Sequence, residues 1–552
     1  MARTTGLFMD VPHVQKLRAP SGNGEFLVVP PFADLVALAQ SHASQLAGCP
    51  AEIGGVPRSQ LAFQARKELL QAAVEWTQRY DESAAIIGHS DGALPTVYMT
   101  GHQPELFHPG VWFKNAVLHQ AAAIGNAVAI HLIVDNDTMK SSFVRVLGGD
   151  PEHPQVVNVP LDGGPSGAPY EDRLIHDRSV FDSFGRRVRE CIAGMVRDPI
   201  IDEFWPIVQK CATATQHLGD VIARGRHLYE KRWGWRTLQV PQSVVCEQMS
   251  FLRLVVHLCS DYERFREIHN RAIRIYRRVH RLRSKSHPFP ELQHVNEWCE
   301  IPLWTWTTAE PLRRRVFVRR TRNVLEITDG TTWIQEVPGV VCGSFDTFVS
   351  WWRDQARKGR RIRSRAVITT LWARLCLSDL FIHGIGGAKY DRVTDEIIRD
   401  FFQCEPPGYC TATATLQLPV PSPRIETHDI SRLRQLIREI EFHPERFISL
   451  KQLAPPQREV VEDCINRKWQ WIQQTASCGD ARQRFLAIRE CNRALGAFLA
   501  SDRQQLERLL KSLLQQMASK QILTSRDWPF CIHSAQQVDE LFHSFERLSC
   551  AH

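Results

Sequence analysis

The chain has 552 residues, 43% hydrophobic and 23% charged, which excludes a disordered chain and a single small core and suggests roughly two to four domains. A net charge of +8 is mild for this length, and no uncharged apolar stretch nears the roughly 20 residues that cross a bilayer. Met1 to Asp10 lacks the apolar core of a secretory signal, and the 15 cysteines are scattered without a Cys-x-x-Cys pair. A cytoplasmic protein with free thiols, no disulfide and no structural metal is therefore expected.

In chain order, Phe26-Leu27-Val28-Val29 reads as a strand and Gln60 to Tyr80, free of Gly and Pro, as a helix. Thr96 to Thr100 is a β-type run closed by Gly101, followed by a loop to Gly110 and a helix from Val111 to Ala123. Ala127 to Val134 is apolar almost throughout, as a strand covered on both faces should be, and runs into Asp135-Asn136-Asp137. A helical crossover makes these two strands parallel neighbours. Ser142 to Val146 and Gln155 to Val159 read as strands at the sheet's edge. Residues 180–285 read as a helical insertion, and 300–340 return to β character with a hairpin signal at Asp329-Gly330. Helices are expected at Phe345 to Arg357 and Val367 to Cys376, then a strand, Asp379 to His383, that ends in glycines. The spacing thus predicts an α/β core with a parallel sheet over residues 1–420.

Residues 421–552 read as a separate helical region behind a Pro419 to Pro423 linker. Ile488, Asn492, Leu495, Leu499, Asp502, Leu506, Leu509 and Leu513 follow the alternating four-three period of a coiled coil. The pattern fits an antiparallel hairpin within one chain or a homodimer seam.

The densest polar constellation is Gly101-His102-Gln103-Pro104 through His108-Pro109-Gly110, at the carboxyl end of a strand and the start of a helix. Ligands of open parallel sheets bind there, and helix amides favour anions. His102 and His108 are candidates to meet charge growing on a phosphate, Gln103 and Gly101 to position it, and Lys114 to add a point charge. Asp135, Asn136 and Asp137 are placed to hold a ribose, an amine or a magnesium ion. His383, Gly386, Gly387, Lys389 and Tyr390 form a third strand-end cluster, with the glycines as a phosphate cradle. Arg363 and Arg365 precede the helix leading to that strand and could reach the same face. Trp304 and Trp306 share a strand face and read as core rather than as a stacking wall. Walker loops and zincin helices are absent from the sequence.

At these residues the chain resembles the bacillithiol synthase family, the cysteine-adding ligases of bacillithiol biosynthesis. Thr100-Gly101-His102-Gln103-Pro104-Glu105-Leu106-Phe107 is similar to that family's Thr-Gly-Gln-Gln-x-x-Leu-Phe segment, with His102 in place of the first Gln. Asp135-Asn136-Asp137 is similar to its acidic cluster, and Gly386-Gly387-Ala388-Lys389-Tyr390 loosely to its Gly-Gly-Pro-Gly-Glu-x-x-Tyr segment. The resemblance implies a Rossmann-like core of the HIGH-signature nucleotidyltransferase type and a C-terminal helical coiled coil. It further implies a ligase or transferase acting on a nucleotide or phosphorylated small molecule, with ATP and Mg2+ as possible cofactors. The competing reading is a non-catalytic RNA- or protein-binding protein that uses the runs Arg313 to Arg320 and Arg357 to Arg365. Those cations are spread over several segments, which argues against a nucleic-acid face.

Overall fold

The computed structural model describes residues 17–86, 94–473 and 481–550, so the amino-terminal segment read for a secretory signal lies outside the described residues. The chain forms two compact units. Of the described residues, the first comprises 17–86, 94–146, 157–419 and 526–550, and the second 147–156, 420–473 and 481–525.

The first unit is built on a six-stranded, mostly parallel sheet flanked by helices, compatible with a Rossmann-like core. Across it run Phe26–Val29, Cys410–Ala414, Leu380–His383, Val97–His102, Val128–Ile133 and Thr237–Pro241. Only the edge strand Phe26–Val29 is antiparallel to its neighbour. Val97–His102 and Val128–Ile133 pair in register from Val97↔Val128 to His102↔Ile133, and the helix Pro109–Ile124 joins them. Both strands are buried nearly throughout, which explains why Val128–Ile133 is apolar at every position but His131.

The chain lays Val128–Ile133 and then Thr237–Pro241 on one side of Val97–His102. It returns to place Leu380–His383 and Cys410–Ala414 on the other. The switch of direction between Val97–His102 and Leu380–His383 opens a crevice at their carboxyl ends.

Several expectations are corrected here. Thr237–Pro241 is a sheet strand inside the segment expected to be helical. Phe143–Gly149 and Pro154–Pro160 pair in a ribbon of their own instead of forming the edge of the main sheet. The run Arg360–Ser364 is a strand too, and it joins a second, antiparallel sheet with Trp298–Thr307, Arg314–Thr321, Val324–Thr328 and Ile334–Val337. Cys49 and Cys404 form a disulfide, their Cα atoms 5.4 Å apart across 355 residues of sequence. A spacing that long carries no local signal.

In the second unit, Thr427–Phe442 packs on Ala500–Leu523 and Pro455–Gln473 on Ala481–Ala497. Lys520, near the end of one helix, donates to the Ile425 carbonyl ahead of the other, so that pair is antiparallel. The heptad run is not one helix, because it breaks at Phe498-Leu499. Leu495 and Leu499 are buried, whereas Leu509 is 48% exposed. The segment 526–552, expected to belong to the helical region, is part of the first unit. Among the described residues, no helix is long and apolar enough to cross a membrane.

Candidate functional site

At the switch point the first unit encloses a cavity of about 1160 Å³. Gly101, His102, Gln103, His108 and Lys114 line it from the first strand end and its helix. Asn136 and Asp137 contribute from the second strand end, Arg365 from the second sheet, and His383, Gly386, Gly387, Lys389 and Tyr390 from the third strand end. One cavity is thus lined by residues from segments almost 300 positions apart.

The strand continues through Gly101 to His102 rather than stopping at the glycine. A Cβ at Gly101 would lie 3.1 Å from the Leu132 carbonyl, so the side-chain-free residue lets the two strand ends close up. The His102 Nδ1–H donates to the Gln103 carbonyl at 2.9 Å, leaving Nε2 as an acceptor. Burial, then the charges of Arg226 and Lys114, drive its pKa well below the ordinary histidine range. His108 caps the helix Pro109–Ile124, its Nδ1 accepting from the Gly110 amide at 3.1 Å. Burial and Arg526 pull His108 down to about 4. Both histidines are thus uncharged near neutrality, and the expectation that they neutralise phosphate charge is corrected. They can exchange hydrogen bonds but bring no cation.

Lys114 is 5% exposed, and its Nζ donates to the Gly101 carbonyl at 2.9 Å. It forms no ion pair among the described residues. Burial and the nearby Arg226 bring its pKa down to about 7. Its stem lies beside Gly384, the cap residue of the helix Ile385–Phe402. No side chain caps that helix, and Gly386 is open enough that an added Cβ would meet nothing within 4 Å. The expected glycine cradle is therefore not a loop but the first turn of an 18-residue helix, whose residues from Gly384 to Gly387 line the cavity and whose first amides have no carbonyl partner within the helix. His383 is turned to Asp391, its Nε2 2.9 Å from the carboxylate.

Two predicted residues are not cavity-lining. Asp135 accepts from the Ser243 amide at 2.9 Å and from the Ser243 hydroxyl, and burial and Glu171 raise its pKa. Arg363 is buried in an ion cluster, bidentate to Glu171 at 2.6 and 2.9 Å and 2.6 Å from Glu247. Strand alternation accounts for it, because Arg361 and Arg363 share one face. Asp137 accepts from Gln103 at 2.8 Å and pairs with Arg313 at 2.8 Å. With Asp135 turned away, the two carboxylates do not converge, so they do not fit a protein-built magnesium site. Among the described residues, no three His, Cys, Asp or Glu side chains gather to hold a metal ion.

The structure adds residues that the sequence reading missed. Trp304 lines the cavity, with the Arg365 guanidinium 4.0 Å and that of Arg313 4.9 Å from its ring centre. Trp306, by contrast, is core. Arg526, from the segment expected to be coiled coil, also lines the cavity and donates to Thr413 Oγ1 at 2.9 Å. Nothing in its local sequence marks it.

No protein-family model matches this chain. No curated protein matches it either. The chemical reading therefore rests on the cavity. Its walls combine cationic side chains, amides of an uncapped helix and an indole, a set suited to an anion attached to a planar or apolar body.

Proposed function

We propose that the chain is a ligase or transferase. It binds a nucleotide or another phosphorylated small molecule at the carboxyl edge of the main sheet and joins an amine- or thiol-bearing partner to it, as the resemblance to bacillithiol synthases implies. One observation carries the reading: the cavity sits at the switch point of a mostly parallel sheet, with the open first turn of Ile385–Phe402 and Lys114 on its floor. Nucleotide-binding enzymes in general use such sheets in this way.

In this reading the amides of Ile385–Phe402, with Lys114 and Lys389, hold the anionic group. Gln103 and Asn136, each fixed by a hydrogen bond, shape the neighbouring wall. His102, uncharged at the cavity wall with Arg226 Nη1 3.4 Å from its Nε2, is the candidate to take a proton from the incoming amine or thiol. Any magnesium would arrive on the phosphates, since the protein offers it no converging carboxylates.

Gly386→Asp tests the reading. The added side chain has space, and a carboxylate in the first turn should stabilise the helix slightly while repelling an anion. In a thermal-shift screen of ATP, ADP, AMP and sugar phosphates, a ligand at a hundred times its Kd should add about 2.7 kcal/mol to the parent protein. The variant should melt no lower than the parent and lose that shift. A phosphorylated ligand that stabilises both proteins equally would place its site elsewhere, and no shift with any of them would sink the proposal.

A further inference from the structure

Beneath the cavity floor lies a charged group that the reading above leaves unused. Arg226, on the helix Leu218–Glu230, is 2% exposed. Its Nε faces Glu230 at 3.3 Å, and the same Glu230 oxygen also accepts from Trp112 at 2.6 Å and Asn115 at 2.7 Å. That oxygen thus accepts two hydrogen bonds besides its ion pair with Arg226. The other end of the guanidinium is turned to two imidazoles: Nη2 donates to His131 Nδ1 at 3.1 Å, and Nη1 lies 3.4 Å from the ring nitrogens of His102. A His131 that accepts at Nδ1 is uncharged, and burial and Arg226 keep it so.

Lys114 stands over this layer. The strand ends bring His102 and His131 toward it, its own helix brings His108, and Leu218–Glu230 brings Arg226 with Glu230. From the third strand comes His383, whose Asp391 is already held by Arg374. Arg526 and Asp527 line the same cavity. None of these carboxylates forms an ion pair with Lys114, so Arg226 is the fixed charge nearest in effect, and it is of like sign.

We propose that this cavity takes its anionic ligand together with one proton, which Lys114 accepts, and that Arg226 is the positioning residue that imposes this requirement. The proposal rests on the reading that the cavity binds an anion. The chemistry balances without a further reactant: solvent supplies the proton, Lys114 Nζ receives it, and the ligand's negative charge retains it. The sign follows. Burial and Arg226 leave the amine half-protonated at about pH 7 in the empty cavity. Above that pH, binding must draw a proton from increasingly basic solvent and weakens toward about tenfold per pH unit.

Inorganic sulfate is a suitable probe, because it stays a dianion throughout the range. Sulfate should raise Tm of the full-length protein, and the concentration for half the shift should climb about tenfold from pH 7.5 to 8.5. Lys114→Met should bind more weakly and without that pH dependence. Arg226→Lys should keep the profile. Arg226→Gln combined with Glu230→Gln, which removes both charges and leaves neither buried alone, should move the break upward and flatten the profile over this range. A flat profile in the parent protein, or no sulfate effect at any pH, overturns the proposal. A double variant with the parent's profile overturns the role of Arg226. If sulfate behaves as described while no nucleotide or sugar phosphate binds, this inference stands and the nucleotide reading fails. If ATP binds equally at both pH values, the nucleotide reading stands and this one fails.

Discussion

Asp391 shows how a single side chain can support the site without lining it. It accepts from Arg374 at 2.6 Å and from His383 Nε2 at 2.9 Å, and it is 2% exposed. Burial alone would raise its pKa, but Arg374 and His383 outweigh burial and hold it well below the ordinary carboxylate range. A carboxylate depressed in the folded state stabilises the fold at every pH above its unfolded value and loses that contribution as pH falls below about 4. Asp391→Asn keeps the shape and removes the charge, leaving Asp395 as the carboxylate paired with Arg374. The variant should lose about 3–5 kcal/mol at neutral pH. Its stability should also fall less steeply in acid than that of the parent, which urea titrations at pH 7 and pH 3.5 would measure. Equal losses at both pH values would mean that the carboxylate acts through shape rather than charge.

The two ends of the sheet divide the labour among elements. At the amino end, Asp379 precedes Leu380–His383, accepts from the Val97 amide at 2.9 Å, and pairs bidentately with Arg66 on the helix Arg58–Gln78 at 2.8 and 2.9 Å. It ties two central strands to a covering helix, far along the strands from the cavity. Asp379→Ala should cost about 2–3 kcal/mol, somewhat below the figure for a fully buried pair because Arg66 stays partly exposed. Any ligand-induced shift in Tm should be preserved. Loss of ligand stabilisation in a folded Asp379→Ala protein would break this division. The strands meeting at the cavity were legible because each is a mainly apolar or β-type run that leads into Gly, His or Asp, whose chemistry differs sharply from the run before it. Thr237–Pro241 and Cys410–Ala414 were not, since five residues in a sheet have no period to distinguish them from a loop or a helix end. Arg360–Ser364 was hidden by its charge, because a strand whose arginines are neutralised by Glu171 and Glu247 looks from sequence like a solvated basic run.

At the scale of the whole chain, the site depends on pairings that no local pattern encodes. Arg526 returns to the first unit after the entire helical region, and Trp304 reaches the cavity from the second sheet. The pair Cys49–Cys404 belongs to the same class: it links the turn after the helix Leu35–Ala47 to the residue that follows the helix Ile385–Phe402 by two positions. Gln45 also reaches across this junction, its amide 3.4 Å from the Pro406 carbonyl. A covalent link here ties the end of the helix Leu35–Ala47 to the far end of the helix whose first turn lines the cavity, so it constrains that helix from behind. Closing so long a loop restricts the unfolded chain, which argues for a contribution of about 2–4 kcal/mol. Two measurements test this together. Thiol titration of the denatured chain should gain two thiols after reduction, and the denaturant midpoint should fall on reduction and in Cys404→Ser alike. A thiol count unchanged by reduction would show both cysteines free. The two sulfurs would then be a packed thiol pair, and the two helix ends would be held by packing and the Gln45 hydrogen bond.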